Sequence, residues 1–133
     1  MKPEGCAPLL KWAGGKRRLI GEILSVAPTE FGRYFEPFLG GGALFFSLVP
    51  RSATLSDSNP DLINAYIQIR DNLDAVVKSL RRLPNSDADY YRIRAASPRS
   101  AAGKAARLIY LCALSVGKKK TWPGKRFLLR EAL

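Results

Sequence analysis

Three short segments carry residues whose types and spacing could do chemistry. The first is Lys11-Trp12-Ala13-Gly14-Gly15-Lys16. An indole can stack on a planar ring, two glycines admit close approach, and an ammonium can meet a carboxylate. A Gly-Gly-Lys triplet ahead of a helix also invites a phosphate-loop reading, which fails twice. Position 10 is Leu where that motif needs Gly, and Arg17 stands where Ser or Thr would hold magnesium. The plain alternative is a glycine turn beside a core tryptophan. The second segment is Phe35-Glu36-Pro37-Phe38-Leu39-Gly40-Gly41-Gly42. Glycines directly after a strand let the backbone pass close to a ligand and aim amides at an anion. A dinucleotide fingerprint would put a further glycine at position 45, which is Phe45, so a nicotinamide cofactor is disfavoured. A tight strand-to-helix turn is the alternative here. The third feature is Asp57, 17 residues beyond Gly40. In doubly wound α/β folds an acid near this place accepts hydrogen bonds from ribose hydroxyls, and otherwise such a residue caps a helix or shapes a turn.

The elements that must position these residues follow from periodicity and punctuation. Leu19, Ile20, Ile23 and Leu24 recur at helical spacing between Gly15 and Pro28. Residues 33–36 are short, aromatic and strand-like and run straight into the glycine turn. The apolar stretch from Ala43 to Val49 predicts a helix that Pro50 ends. Ala53-Thr54-Leu55 is a second short strand closing on Asp57. Asn59 followed by Pro60 is a capping side chain and then proline in the first turn, the start of a helix carrying Leu62, Ile63, Tyr66, Ile67 and Ile69. A further helix begins near Asn72 and ends by Pro84, another spans 88–96, and an alanine-rich one spans about 100–115. Strand, glycine turn, helix, strand, acid, helix is the opening of a Rossmann-like α/β fold. Only two strands are legible, half of a sheet that crossovers would normally bury on both faces.

Composition narrows the chemistry. The 133 residues are 47% hydrophobic and 25% charged, which suits a globular chain of one domain at most. There is no histidine, and Cys6 and Cys112 stand apart without metal-ligand spacing. Most zinc sites and all His-based acid/base or triad chemistry are thereby excluded, and no metal is expected. The net charge of +11, from 22 basic and 11 acidic residues, favours a polyanionic partner such as nucleic acid. No apolar run approaches the ~20 residues of a membrane span and no signal-peptide core is present, so a cytoplasmic chain without membrane contact is expected. Residues 117–133 hold six basic residues and one acid, break at Trp122-Pro123-Gly124, and read as a poorly ordered tail.

Taken together, Pro8-Leu9-Leu10-Lys11-Trp12-Ala13-Gly14-Gly15-Lys16, Phe35-Glu36-Pro37-Phe38 with Gly40-Gly41-Gly42, and Leu55-Ser56-Asp57-Ser58-Asn59-Pro60-Asp61-Leu62-Ile63 are far more specific than any one of them. In this order and spacing the chain resembles the Dam-type (D12 class) adenine-N6 DNA methyltransferases, over about residues 8–115. The resemblance takes in Tyr90-Tyr91-Arg92 and Ala106-Arg107-Leu108-Ile109-Tyr110-Leu111. It implies a Rossmann-like S-adenosylmethionine-dependent methyltransferase fold, S-adenosylmethionine as cofactor and double-stranded DNA as partner. The cofactor-binding positions it implies are Trp12, Lys16, Gly40, Gly42 and Asp57. The family's members serve restriction systems and housekeeping methylation alike. The implied organisation is 1–70 as the N-terminal part of the cofactor-binding domain, 71–115 as the helical start of the target-recognition region, and 116–133 as a divergent basic tail.

The departures bear on activity. The family's catalytic groups sit in an Asp-Pro-Pro-Tyr loop that presents a flipped adenine's amino group to the methyl donor, and neither Asp-Pro-Pro nor Asn-Pro-Pro occurs in the 133 residues. The expectation is therefore an incomplete fold with no catalytic residue of its own, of the kind a frameshift or early stop leaves, and inactive alone. One half of a split methyltransferase is an alternative. So is a non-catalytic basic module that touches nucleic acid through phosphates only, which would show steep salt dependence without dependence on cofactor. A nucleotide-phosphate enzyme built on Gly14-Gly15-Lys16 is the remotest reading, for want of the Ser or Thr.

Overall fold

The structure, a computed structural model, describes residues 7–12, 14–84 and 86–115. The basic segment 116–133, read above as a tail, and Cys6 lie outside the described residues. The rest is a helix-rich α/β chain. A 3-10 turn, Lys16–Leu19, leads into helix α1, Ile20–Val26, and then come strand β1, Tyr34–Glu36, helix α2, Ala43–Leu48, and strand β2, Ala53–Leu55. Four helices follow: α3, Pro60–Asp71, α4, Leu73–Arg81, α5, Asp87–Ala95, and α6, Ala101–Ser115. The two strands are parallel, in the register Tyr34 with Ala53, Phe35 with Thr54 and Glu36 with Leu55. Backbone bonds beyond the strand ends lengthen the pairing: Tyr34 N–H donates to Ser52 O (3.0 Å), Ser56 N–H to Glu36 O (2.9 Å) and Leu39 N–H to Ser56 O (3.0 Å). Both strands thus deliver their carboxyl ends side by side, one into the glycine turn and the other into Asp57.

Packing divides the chain between Ser58 and Asn59 into two compact units. The sequence-based boundary stands at residue 70, whereas α3 packs with the helices that follow it, against α6 and α4. The reason is not local. α3 buries Leu62 and Ala65 completely, and α6, which packs with α3, α4 and α5, buries the small side chains of Ala105 and Ala106. Val76, Ile93, Ile109 and Tyr110 complete this core. Asn64 Nδ2 donates to the Ala101 carbonyl (3.0 Å), tying α3 to the start of α6. Arg107 of α6 donates through Nε to Ile93 O (2.9 Å) and through Nη2 to Arg94 O, and so caps the C-terminal carbonyls of α5.

Local signals set the helix ends. Asn59 accepts hydrogen bonds from the backbone N–H groups of Asp61 (3.0 Å) and Leu62 (3.3 Å), with Pro60 in the first turn of α3. Ser86 caps α5 by accepting from Asp89 N–H (3.2 Å). At α2 the helix stops one residue short of the expected Val49. Pro50 pushes the residue before it out of the right-handed helical region, and Val49 turns left-handed at φ 46° while still donating to Phe45 O (2.9 Å).

Candidate functional site

The candidate site is built entirely within the first unit, where the loop before the 3-10 turn meets the carboxyl ends of β1 and β2. The turn after β1 needs glycine for two separate reasons. Gly40 and Gly42 have φ values of 55° and 70°, which side-chain-bearing residues rarely adopt. Gly41 needs the space instead: a Cβ there would lie 2.6 Å from the Leu10 carbonyl and 3.2 Å from Trp12 Cβ. A Cβ on Gly40 would stand 3.4 Å from Trp12 Cδ1, so the indole lies against the turn. Trp12 and Gly40, predicted from separate segments, are brought together.

Asp57 joins them. The Gly40 N–H donates to Asp57 Oδ2 (2.9 Å), so the acid at the end of β2 closes the glycine turn at the end of β1. The Gly42 N–H donates to Leu39 O (2.9 Å). The Gly40 and Gly42 amides therefore hold the turn together, and α2, with six residues, adds only a short run of aligned peptide dipoles. Close backbone approach is what the glycines provide.

Lys16 has specific partners. Its ammonium donates to Glu36 Oε1 (2.8 Å) and to the Phe38 carbonyl (2.6 Å). The second oxygen of Glu36 accepts from the Tyr34 hydroxyl (2.7 Å). Glu36 is 5% exposed, so its carboxylate is removed from water and held by one cation and one hydroxyl. A buried carboxylate would be costly without such partners. Tyr34 and Glu36 lie two apart on β1 and so share a face. Burial, followed by the bond and charge of Glu36, pushes the Tyr34 phenol far above its ordinary range, so the hydroxyl stays protonated and remains a donor. Aromatic neighbours hold the Tyr34 ring, with centroids 6.4 Å from both Phe31 and Phe45.

Tyr34, Glu36 and Gly41 fall within segments singled out from the sequence, but none of the three is given a role of its own there. The signal for Glu36 was present, since a lone acid at the end of an aromatic strand, four residues before Gly40, is out of place on a buried face. Its lysine partner lies 20 residues earlier, a distance at which no local rule pairs them. Among the described residues no group of His, Cys, Asp and Glu could hold a metal ion. Among them also, no helix is long and apolar enough to cross a membrane.

A glycine turn and an acid at the carboxyl ends of neighbouring parallel strands define an α/β protein with its polar chemistry gathered at the strand ends. Comparison with known proteins narrows the class. Residues 12–126 match the D12 class N6 adenine-specific DNA methyltransferase family, and the chain belongs to that family. The match continues past Ser115, where the resemblance noted above ended, into the basic segment. A type II methyltransferase, M1.LlaDCHI, of Lactococcus lactis subsp. cremoris is 38% identical over 112 residues, which cover 78% of this chain and 39% of that protein. The DNA adenine methylase of Haemophilus influenzae is 39% identical over 88 residues, covering 63% of this chain and 31% of the relative. The Retron Ec67 DNA adenine methylase of Escherichia coli is 35% identical over 89 residues, 65% of this chain and 31% of its own length. The chain thus spans under two-fifths of each of these relatives.

Proposed function

We propose that this chain forms the S-adenosylmethionine-binding part of a Rossmann-like methyltransferase that acts on adenine N6 in double-stranded DNA, in the cytoplasm. One observation carries the reading: the Asp57 carboxylate bonds the Gly40 amide while the Trp12 indole lies against the same turn, so that a ring, a glycine backbone and an acid converge. These residues fit the cofactor. Trp12 would flank its planar base, and the Gly40–Gly42 backbone would admit its approach. A carboxylate accepts about four hydrogen bonds, so holding the Gly40 amide is compatible with accepting from ribose hydroxyls at Asp57. An ammonium has three donors, and Lys16 directs two of them at Glu36 and Phe38, leaving the third for a ligand carboxylate. S-adenosylmethionine supplies an electrophilic methyl group. What this chain's residues contribute is binding and orientation.

DNA as substrate suits the net charge of +11. A methyltransferase must also draw adenine out of the duplex, at a cost of a few kcal/mol. No Asp-Pro-Pro sequence occurs in the 133 residues, so the groups that would hold the extruded adenine are not among them. We read the chain as a cofactor-binding part without turnover of its own.

Calorimetric titration with S-adenosylmethionine tests the site. Trp12→Ala and Asp57→Ala should each weaken binding by about tenfold or more, equivalent to roughly 1.4 kcal/mol. Wild-type affinity in both variants would overturn the assignment.

A further inference from the structure

We infer that Tyr34 is a positioning residue of the proposed cofactor site, acting through Glu36 to set the place of the Lys16 ammonium. The inference rests on the cofactor reading and adds a residue outside the set that touches ligand. Its basis is a continuous chain of contacts. The Phe45 ring of α2 packs beside Tyr34, the Tyr34 hydroxyl donates to Glu36 Oε2 (2.7 Å), and Glu36 Oε1 accepts from Lys16 Nζ (2.8 Å). Lys16 then donates to the Phe38 carbonyl (2.6 Å), two residues before the glycine turn. The links come from α2, from β1 and the turn after it, and from the 3-10 turn that carries Lys16.

The geometry gives each link a task. A glutamate carboxylate turns readily about its last torsion, which has no sharp staggered preference. With Lys16 alone, either oxygen could face the ammonium and the carboxylate plane would be loose. The Tyr34 hydroxyl takes up the second oxygen and removes that freedom. Its ring cannot drift, because Phe31 and Phe45 flank it. The hydroxyl remains protonated well beyond ordinary working pH, so it acts as a permanent donor rather than a switch. Lys16 has a long, flexible stem and its side chain is 36% exposed, so only its partners can fix where the ammonium sits. Two fixed acceptors, Glu36 Oε1 and Phe38 O, convert it into a placed charge. Preorganisation of this kind lowers the ordering cost of binding without adding a contact.

The experiment uses the full chain and two readouts. Tyr34→Phe keeps the ring and its packing and deletes only the donor. Acetylation of Lys16 relative to the exposed Lys104, followed by mass spectrometry, should rise several-fold in Tyr34→Phe. Affinity for S-adenosylhomocysteine, measured by calorimetry, should fall about tenfold, the effect of losing a hydrogen bond to a charged group, with the melting temperature little changed. In a Lys16→Met background the same substitution should leave affinity unaltered, because the route through Lys16 is gone. Glu36→Gln, which keeps the shape and replaces one acceptor oxygen with a donor, should release Lys16 in the same way and serves if Tyr34→Phe does not fold. Unchanged Lys16 labelling in these variants overturns the inference and leaves the cofactor reading untouched. An affinity loss of equal size with and without Lys16 also overturns it, since Tyr34 would then act by another route. If the wild-type chain ignored S-adenosylhomocysteine while Tyr34→Phe still released Lys16, the cofactor reading would fall and the positioning of Lys16 by Tyr34 would stand.

Discussion

Gly41 shows how a single hydrogen atom in place of a methyl group can decide a site. Its φ is ordinary, so nothing in backbone conformation demands glycine there. What demands it is the Leu10 carbonyl, 2.6 Å from where a Cβ would be, with the Trp12 side chain close behind. Gly41→Ala should therefore displace the segment that carries Trp12. Overpacking of this sort costs about 1–3 kcal/mol, measurable by denaturant unfolding. Gly21, inside α1, is the matched control, because a Cβ there meets nothing within 4 Å. Gly21→Ala should be neutral or stabilise by up to about 1 kcal/mol, as expected when alanine replaces glycine within a helix. Equal losses in both variants would mean that the close approach at Gly41 is not what matters.

At the scale of elements, β1 and α3 depend on different physics. β1 is three residues long and carries a buried carboxylate, so its face is set by the polar chain from Tyr34 to Lys16. The phenol of Tyr34 is raised above its unfolded value. A group raised in this way contributes stability in full below its unfolded pKa of about 10, and loses it progressively as pH climbs above that value. The melting temperature of the wild-type chain should thus fall between about pH 9.5 and 11 more steeply than that of Tyr34→Phe, which has no proton there to lose. Parallel curves in thermal melts would remove the phenol from the account. α3 owes its place to packing and a cap. Leu62 is fully buried, and Leu62→Ala should cost about 2–5 kcal/mol, while Asn59→Ala, which strips the acceptor from two backbone donors, should cost about 1 kcal/mol. Chemical denaturation orders them, and a cap variant more damaging than the core variant would contradict that division.

At the scale of the whole molecule, two features stand out. The first unit leaves large apolar side chains in water: Phe35 is 60% and Phe38 76% exposed, and Leu19, Val26, Phe31 and Val49 are exposed as well. Among the described residues the sheet there has two strands, and Phe35 shares a face with Thr54, its partner in register. A chain with that much uncovered surface should bind a hydrophobic dye at room temperature and be prone to aggregate. The second feature is charge. Residues 117–133 carry six basic residues and one acid, a net +5 of the total +11. Deleting them should flatten the salt dependence of DNA binding, since each phosphate contact adds about −0.9 to the slope. An unchanged slope would put the phosphate contacts elsewhere. With no Asp-Pro-Pro loop among its residues, the chain alone should transfer no labelled methyl to unmethylated duplex DNA. Turnover above background that Asp57→Ala abolishes would show catalytic groups where none are now assigned.

The sequence by itself determined the elements and most of their ends, because caps, prolines and apolar spacing act over three or four residues. Asn59 with Pro60 opens α3, Pro50 closes α2, and the strand before Gly40-Gly41-Gly42 falls where its aromatic run predicts. It also determined the family, since three motifs in fixed order carry information that no single motif does. Tertiary structure alone decided which chemical groups meet. That Asp57 bonds the Gly40 amide, that Lys16 is held by Glu36 and Phe38, and that Gly41 lies under Leu10 and Trp12 are contacts between residues 17 to about 31 positions apart. It also decided that α3 joins the second unit, where it packs with α6 and buries Leu62 and Ala65. Periodicity reports which face of a segment is apolar. It is silent on what that face will find, because the partner is chosen by shape and by the pairing of buried charge across the folded chain.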